Sequence, residues 1–145
     1  MFAPARMEAR QFLVDAWQKR RAALPLTPLE TLAADLVALH PEYHALLESG
    51  AAVLDRDWAP EQGETNPFLH LSMHLSIHEQ VSIDQPPGVR TLHRQLSELL
   101  GSRHDAEHAM MDCLAEMIWT AQRQGTPPDA GLYLACLNRK AKNPA

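Results

Sequence analysis

Long apolar runs are missing from this chain. No stretch approaches the roughly 20 residues that a membrane-spanning helix needs, and the N-terminus lacks the charged-then-apolar pattern of a secretion signal. No membrane-spanning helix and no membrane partner are expected, and a cytoplasmic location is. Cysteine is scarce, with two in 145 residues. Cys113 and Cys136 form no C-x-x-C pair and fall in different helical segments, so the expectation is two small, reduced core residues rather than a disulfide or a zinc knuckle. A basic stripe is also lacking: 13 Lys and Arg are scattered among 18 Asp and Glu, the net charge is -5, and nucleic acid is not an expected partner. Glycine-rich phosphate loops, nucleophile elbows and dinucleotide fingerprints are absent, which sets aside nucleotide-dependent chemistry.

β-branched alternation is missing as well, and what remains is helical periodicity punctuated by proline and glycine. With 46% hydrophobic residues, the chain is long enough for one well-buried core and too short for two ordinary domains. The expected fold is all-α, a single-domain helical bundle of six to seven helices over residues 1–145. The first helix runs from about Arg6 to Ala23. Thr27-Pro28-Leu29-Glu30 is a capping box opening a second helix to about His40. Pro41 restarts a short third helix that Gly50 stops, and an acidic connector follows over residues 51–65. Asn66-Pro67 opens a fourth helix to about Ile83, a fifth spans about Arg90 to Leu100, and Ser102 caps the longest, about Arg103 to Gln124. A last helix follows Thr126-Pro127-Pro128-Asp129, and residues 140–145 read as a frayed tail.

Against this ordinary background, histidine stands out, with eight in the chain. His70, His74 and His78 recur every fourth residue in the fourth helix, as do His104 and His108 in the sixth. A spacing of four returns a side chain to nearly the same helix face. In the fourth helix that face also carries Leu71, Met73, Leu75, Ile77 and Val81, so the imidazoles sit among apolar neighbours, where an unsatisfied polar group costs about 1–3 kcal/mol. In the sixth, Met110, Cys113, Leu114, Met117, Ile118 and Ala121 form the apolar arc. Glu107 lies inside that arc, and His104 and His108 lie at its edge beside Met111, Ala115 and Trp119. Two His-x-x-x-His pairs on facing helices, His70 with His74 and His104 with His108, supply four nitrogen ligands, a set suited to a transition metal ion, zinc or iron foremost. Glu107 is the candidate catalytic residue, as an orienter of the imidazoles or a general base. The alternative is a metal-free helical interaction or adaptor protein whose histidines form a structural hydrogen-bond network.

Other constellations carry less. His104-Asp105-Ala106-Glu107-His108 matches the pattern of inverted zinc peptidases, but those enzymes need a large scaffold and a distant third ligand. His40 and His44 are four apart, with Pro41 between them, so His40 is expected to cap a helix rather than ligate. His78 is expected to cap or to pair with Glu79 or Asp84. Asp55, Asp57, Glu61 and Glu64 lack the spacing of a calcium loop and read as solvated charges. Trp58 in the same connector would anchor it to the core or meet a partner.

The blocks Asn66-Pro67-Phe68-Leu69-His70-Leu71-Ser72-Met73-His74-Leu75, Asp84-Gln85-Pro86-Pro87-Gly88, His104-Asp105-Ala106-Glu107-His108-Ala109-Met110-Met111 and Trp119-Thr120-Ala121-Gln122-Arg123 resemble the bacterial family of domain of unknown function 1841. The resemblance implies a small standalone bacterial protein of the cytoplasm. It points to His70, His74, His104 and His108 as motif residues and leaves His78 at a variable position. It brings no reaction, substrate or assigned metal. A homo-oligomer or another protein partner is left open by the sequence.

Overall fold

The computed structural model describes residues 3–50, 54, 56, 58 and 66–142, with side chains from residue 7 onward. Among these residues it holds seven α-helices and one 3-10 turn, with no strand. The all-α expectation therefore holds, and no helix is long and apolar enough to cross a membrane. The chain divides into two compact units, residues 1–75 and 76–145.

In the first unit, α1 (Ala3–Arg21) packs on α2 (Pro28–Ala38) and on the short α3 (His44–Glu48). The capping box forms as the sequence predicts: Thr27 Oγ1 accepts from the Glu30 amide, and Glu30 Oε1 accepts from the Thr27 amide. Pro41 supplies the fixed φ that opens a 3-10 turn over Pro41–Tyr43 before α3, and Gly50 takes a left-handed φ of 66° just beyond it. Leu13, Val14, Ala16, Trp17, Ala33, Leu36, Val37 and Leu47 form the core, joined by Phe68 and Leu71. A side chain of that size contributes roughly 1.5–3 kcal/mol when fully buried. Buried Arg10 donates from Nη1 to the carbonyls of Leu54 (2.8 Å) and Arg56 (2.7 Å). Its guanidinium carbon lies 5.2 Å from the Trp58 ring centre and 5.0 Å from that of Phe68. Trp58 thus anchors to the core, as one of its two expected roles requires. The acidic residues Asp55, Asp57, Glu61 and Glu64 lie outside the described residues.

The fourth helix, α4 (Pro67–Ile83), begins where Asn66-Pro67 predicts, with Asn66 Oδ1 accepting from the Leu69 amide at 3.1 Å. The second unit contains its last turns, then α5 (Val89–Leu100), α6 (Arg103–Gln124) and α7 (Ala130–Lys142). α5 packs on α6 and α7, and α6 on α7. Ser102 caps α6 by accepting from the Asp105 amide, and Gly125 ends it with a left-handed φ of 63°. α7 continues through Lys142, so the first residues of the expected tail are helical, and 143–145 lie outside the described residues.

Two expectations need correction here. Cys113 and Cys136 are not reduced core residues but a disulfide, with Cα atoms 5.7 Å apart. The link 125–129 folds α7 back along α6, so helices that are separate in sequence bring the two buried sulfurs together, which their spacing of 23 could not indicate. Trp119 does not face the interior beside His108 either. It is 57% exposed, with the Arg123 guanidinium 4.8 Å from its ring centre, and Ala115 is exposed with it. The buried arc of α6 runs through Ala106, Glu107, Met110, Met111, Cys113, Leu114 and Ala121.

Candidate metal centre

In the first unit, α4 places His70 and His74 one turn apart on its inner face, with ring centres 5.0 Å apart. His74 is completely buried and His70 half-buried. The third member of this group is His40. It stands at the cap position before the 3-10 turn, as expected, but its side chain makes no cap bond there. Its ring is 2% exposed and lies 4.9 Å from that of His70 and 5.0 Å from that of His74. Pro41 explains the placement. By ending α2, it turns the chain so that the residue before it projects inward instead of continuing the helix.

The protonation of His40 follows from its neighbours. Nδ1 lies 2.7 Å from the Leu36 carbonyl oxygen. A carbonyl only accepts, so Nδ1 carries a hydrogen, and in the neutral ring Nε2 then carries the lone pair. That Nε2 lies 3.2 Å from His70 Nε2. Tyr43 stacks on His40 with ring planes 5° from parallel and meets His70 edge-on. Burial first, and then the Glu42 carboxylate, raise the Tyr43 hydroxyl above its ordinary pKa, so it remains a protonated phenol. His44 does not join this group. Its Nε2 donates to the Val37 carbonyl at 2.8 Å, and its ring packs on Trp17.

In the second unit, the first turns of α6 bring His104 and His108 edge to face, with ring centres 4.2 Å apart. Both are half-buried. Glu107, between them in sequence and 3% exposed, projects into the core. Its two carboxylate oxygens accept separately, Oε1 from His78 Nε2 and Oε2 from His93 Nε2, each at 3.0 Å. His78 therefore pairs neither with Glu79 nor with Asp84. Asp84 Oδ1 instead accepts from the amides of Gly88 (3.2 Å) and Arg90 (3.0 Å).

Sequence reading missed two of these residues. His93 has no partner four residues away, but Val89, Leu92, His93 and Leu96 follow the 0, 3, 4, 7 spacing of a buried helix face, and all four are buried. A lone histidine on such a face was the available signal. His40 was obscured by the proline beside it.

A family model described as a domain of unknown function (DUF1841) matches residues 5–139. No curated protein and no solved structure matches the chain.

Proposed function

We propose that this chain, which belongs to the DUF1841 family, a domain of unknown function, is a transition-metal protein that draws its ligands from two histidine groups, His40 with His70 and His74 in the first unit, and His104 with His108 in the second. The reading is carried by one observation: in the first unit the rings of His40, His70 and His74 lie 4.9–5.0 Å apart, centre to centre, and Nε2 of His40 stands 3.2 Å from that of His70. Neutral imidazoles suit zinc, iron, copper or nickel, whereas magnesium and calcium seek oxygen. Metal–nitrogen bonds of about 2.05 Å set tetrahedral edges of about 3.3 Å, close to that contact. His40 joins the pair His70 and His74 that the sequence reading named, and its Nδ1–H bond to the Leu36 carbonyl supports it, because a metal-bound histidine characteristically donates its other nitrogen in this way. With an open coordination position the ion would activate water for hydrolysis or take part in redox chemistry. With a closed one it is structural.

The competing reading, a metal-free network, draws on the 3.2 Å contact between His40 and His70, which also fits an N–H···N hydrogen bond. Elemental mass spectrometry on protein purified without chelator or nickel resin separates the two. About one equivalent of a first-row metal per chain is expected, lost in His74→Ala. Wild-type protein that carries none and binds none on titration would overturn the metal reading.

A further inference from the structure

The second unit holds a cavity of about 480 Å³ between the end of α4, one face of α5 and the start of α6. Sites for small molecules span roughly 300–1,000 Å³ and combine apolar walls with a few placed polar groups. This cavity has that make-up, with a mostly apolar wall that includes half-buried Val81. Several of its polar groups are already spent. Ser97 Oγ donates to the His93 carbonyl at 2.7 Å, Ser102 Oγ accepts from the Asp105 amide at 3.0 Å, and Arg94 Nε faces Glu98 Oε1 at 3.7 Å. Two groups are left to meet a ligand. Arg103 is the second cation of the wall, whose one acid, Glu98, pairs with Arg94. His93 is 7% exposed and gives its Nε2–H to Glu107 at 3.0 Å, so in the neutral ring Nδ1 carries a lone pair. Glu107 fixes that tautomer, and His78 holds the carboxylate through its other oxygen.

We propose that this cavity binds a small hydroxy acid, whose carboxylate meets the Arg103 guanidinium and whose hydroxyl donates to His93 Nδ1. Each part of the ligand answers one part of the wall. A single cation left over calls for a single negative charge, and a planar carboxylate matches the guanidinium fork. A lone pair on a braced ring calls for a donor, and the apolar wall calls for a hydrocarbon body. An inorganic anion would leave both the lone pair and the apolar wall unmatched. None of the proposed metal ligands lines the cavity, so the inference stands apart from the metal reading.

The test uses the full-length protein, with 3- and 4-hydroxybenzoate as probes and NMR as the readout. At least one probe should shift the Val81 methyl and His93 ring nitrogen resonances together, with a Kd of about 0.1–1 mM. Benzoate, which lacks the hydroxyl, and phenol, which lacks the carboxylate, should each bind about tenfold more weakly. Arg103 is exposed, so Arg103→Ala should fold, as circular dichroism checks, and hold the hydroxybenzoate no better than phenol. Ser97→Leu, which fills the cavity from α5, should abolish binding. Absence of shifts at Val81 and His93 with both hydroxybenzoates overturns the proposal. Benzoate that binds as tightly overturns the His93 contact and with it the hydroxy-acid class, and an unchanged Kd in Arg103→Ala overturns the carboxylate contact. Binding that vanishes when a chelator strips the protein overturns it too, because the probe would then be a metal ligand. Equal binding with and without chelator supports the cavity, whatever becomes of the metal reading.

Discussion

The two units bury imidazoles in opposite ways. In the first, His40, His70 and His74 gather ring against ring, with nitrogen facing nitrogen across 3.2 Å. In the second, His78 and His93 both turn to Glu107, whose two oxygens accept one N–H each. The second arrangement is complementary as it stands, because a carboxylate accepts and an imidazole N–H donates. The first pairs imidazole with imidazole: a neutral ring has one donor and one lone pair, so each contact between rings needs one of each, whereas a cation takes lone pairs from all of them. Glu107 therefore reads as a brace for the second unit rather than a ligand, although it sits next to His108 in sequence. A catalytic role for Glu107 remains the expectation the sequence raised, and its two imidazole partners are what such a role would have to displace.

Removing Glu107 puts that contrast to its hardest test. Glu107→Ala strands the Nε2–H groups of His93, which is buried, and His78, which is half-buried, and an unsatisfied buried donor costs about 1–3 kcal/mol apiece. The urea midpoint should fall accordingly, while metal content per folded chain stays that of the wild type. A variant of normal stability that has lost its metal would make Glu107 part of the centre and erase the distinction. The disulfide comes next. Cys113 and Cys136 close a loop in the second unit only, and losing a crosslink of this span costs about 3 kcal/mol. Cys113→Ala/Cys136→Ala should unfold at lower urea and be insensitive to reductant, whereas the wild type should shift toward it when reduced. Equal midpoints with and without reductant would show that helix packing alone holds α7.

A smaller effect belongs to the first unit. Thr27→Ala removes the acceptor for the Glu30 amide, and an N-cap loss of this kind costs about 1 kcal/mol. Thermal unfolding should register it without any change in metal uptake, since Thr27 touches none of the histidines described here. An unchanged melting temperature would mean that the α2 terminus frays already in the wild type.

These contrasts were unevenly legible in the sequence. Helix ends were easy to read because their causes are local: Thr27, Asn66 and Ser102 each cap a helix within three residues, and Gly125 ends one with a left-handed φ. The pairs His70/His74 and His104/His108 were legible for the same reason, since a spacing of four fixes the face. Partners across the chain were not. Glu107 was seen as core-facing, but its bonds to His78 and His93 span 29 and 14 residues, and no periodicity encodes which buried donor meets which acceptor. The disulfide failed similarly, because it depends on how α7 folds back on α6. Trp119 shows the remaining difficulty. An aromatic at the edge of an apolar arc can turn outward under an arginine, and hydrophobic spacing alone cannot tell which way it turns.

The gentlest test concerns acid stability in the first unit. Glu30 Oε2 accepts from Lys19 Nζ at 2.6 Å, and Oε1 accepts from the Thr27 amide at 2.9 Å. The Lys19 hydrogen bond first, and the Thr27 backbone bond second, hold this carboxyl below its ordinary value of 4.5, against a smaller opposing effect of burial. A folded pKa lower than the unfolded one contributes stability that is present above the unfolded value and is lost as the pH falls through the folded one. Lys19→Met should therefore flatten the acid arm below pH 4.5 by lowering stability on its neutral side, with the two curves converging in acid, and the drop is small because a pair with a 42% exposed lysine is screened by water. Acid arms that superimpose for wild type and Lys19→Met would show that the Thr27 amide alone holds the carboxylate. In that case the α2 cap, and not the ion pair with α1, governs how the first unit responds to acid.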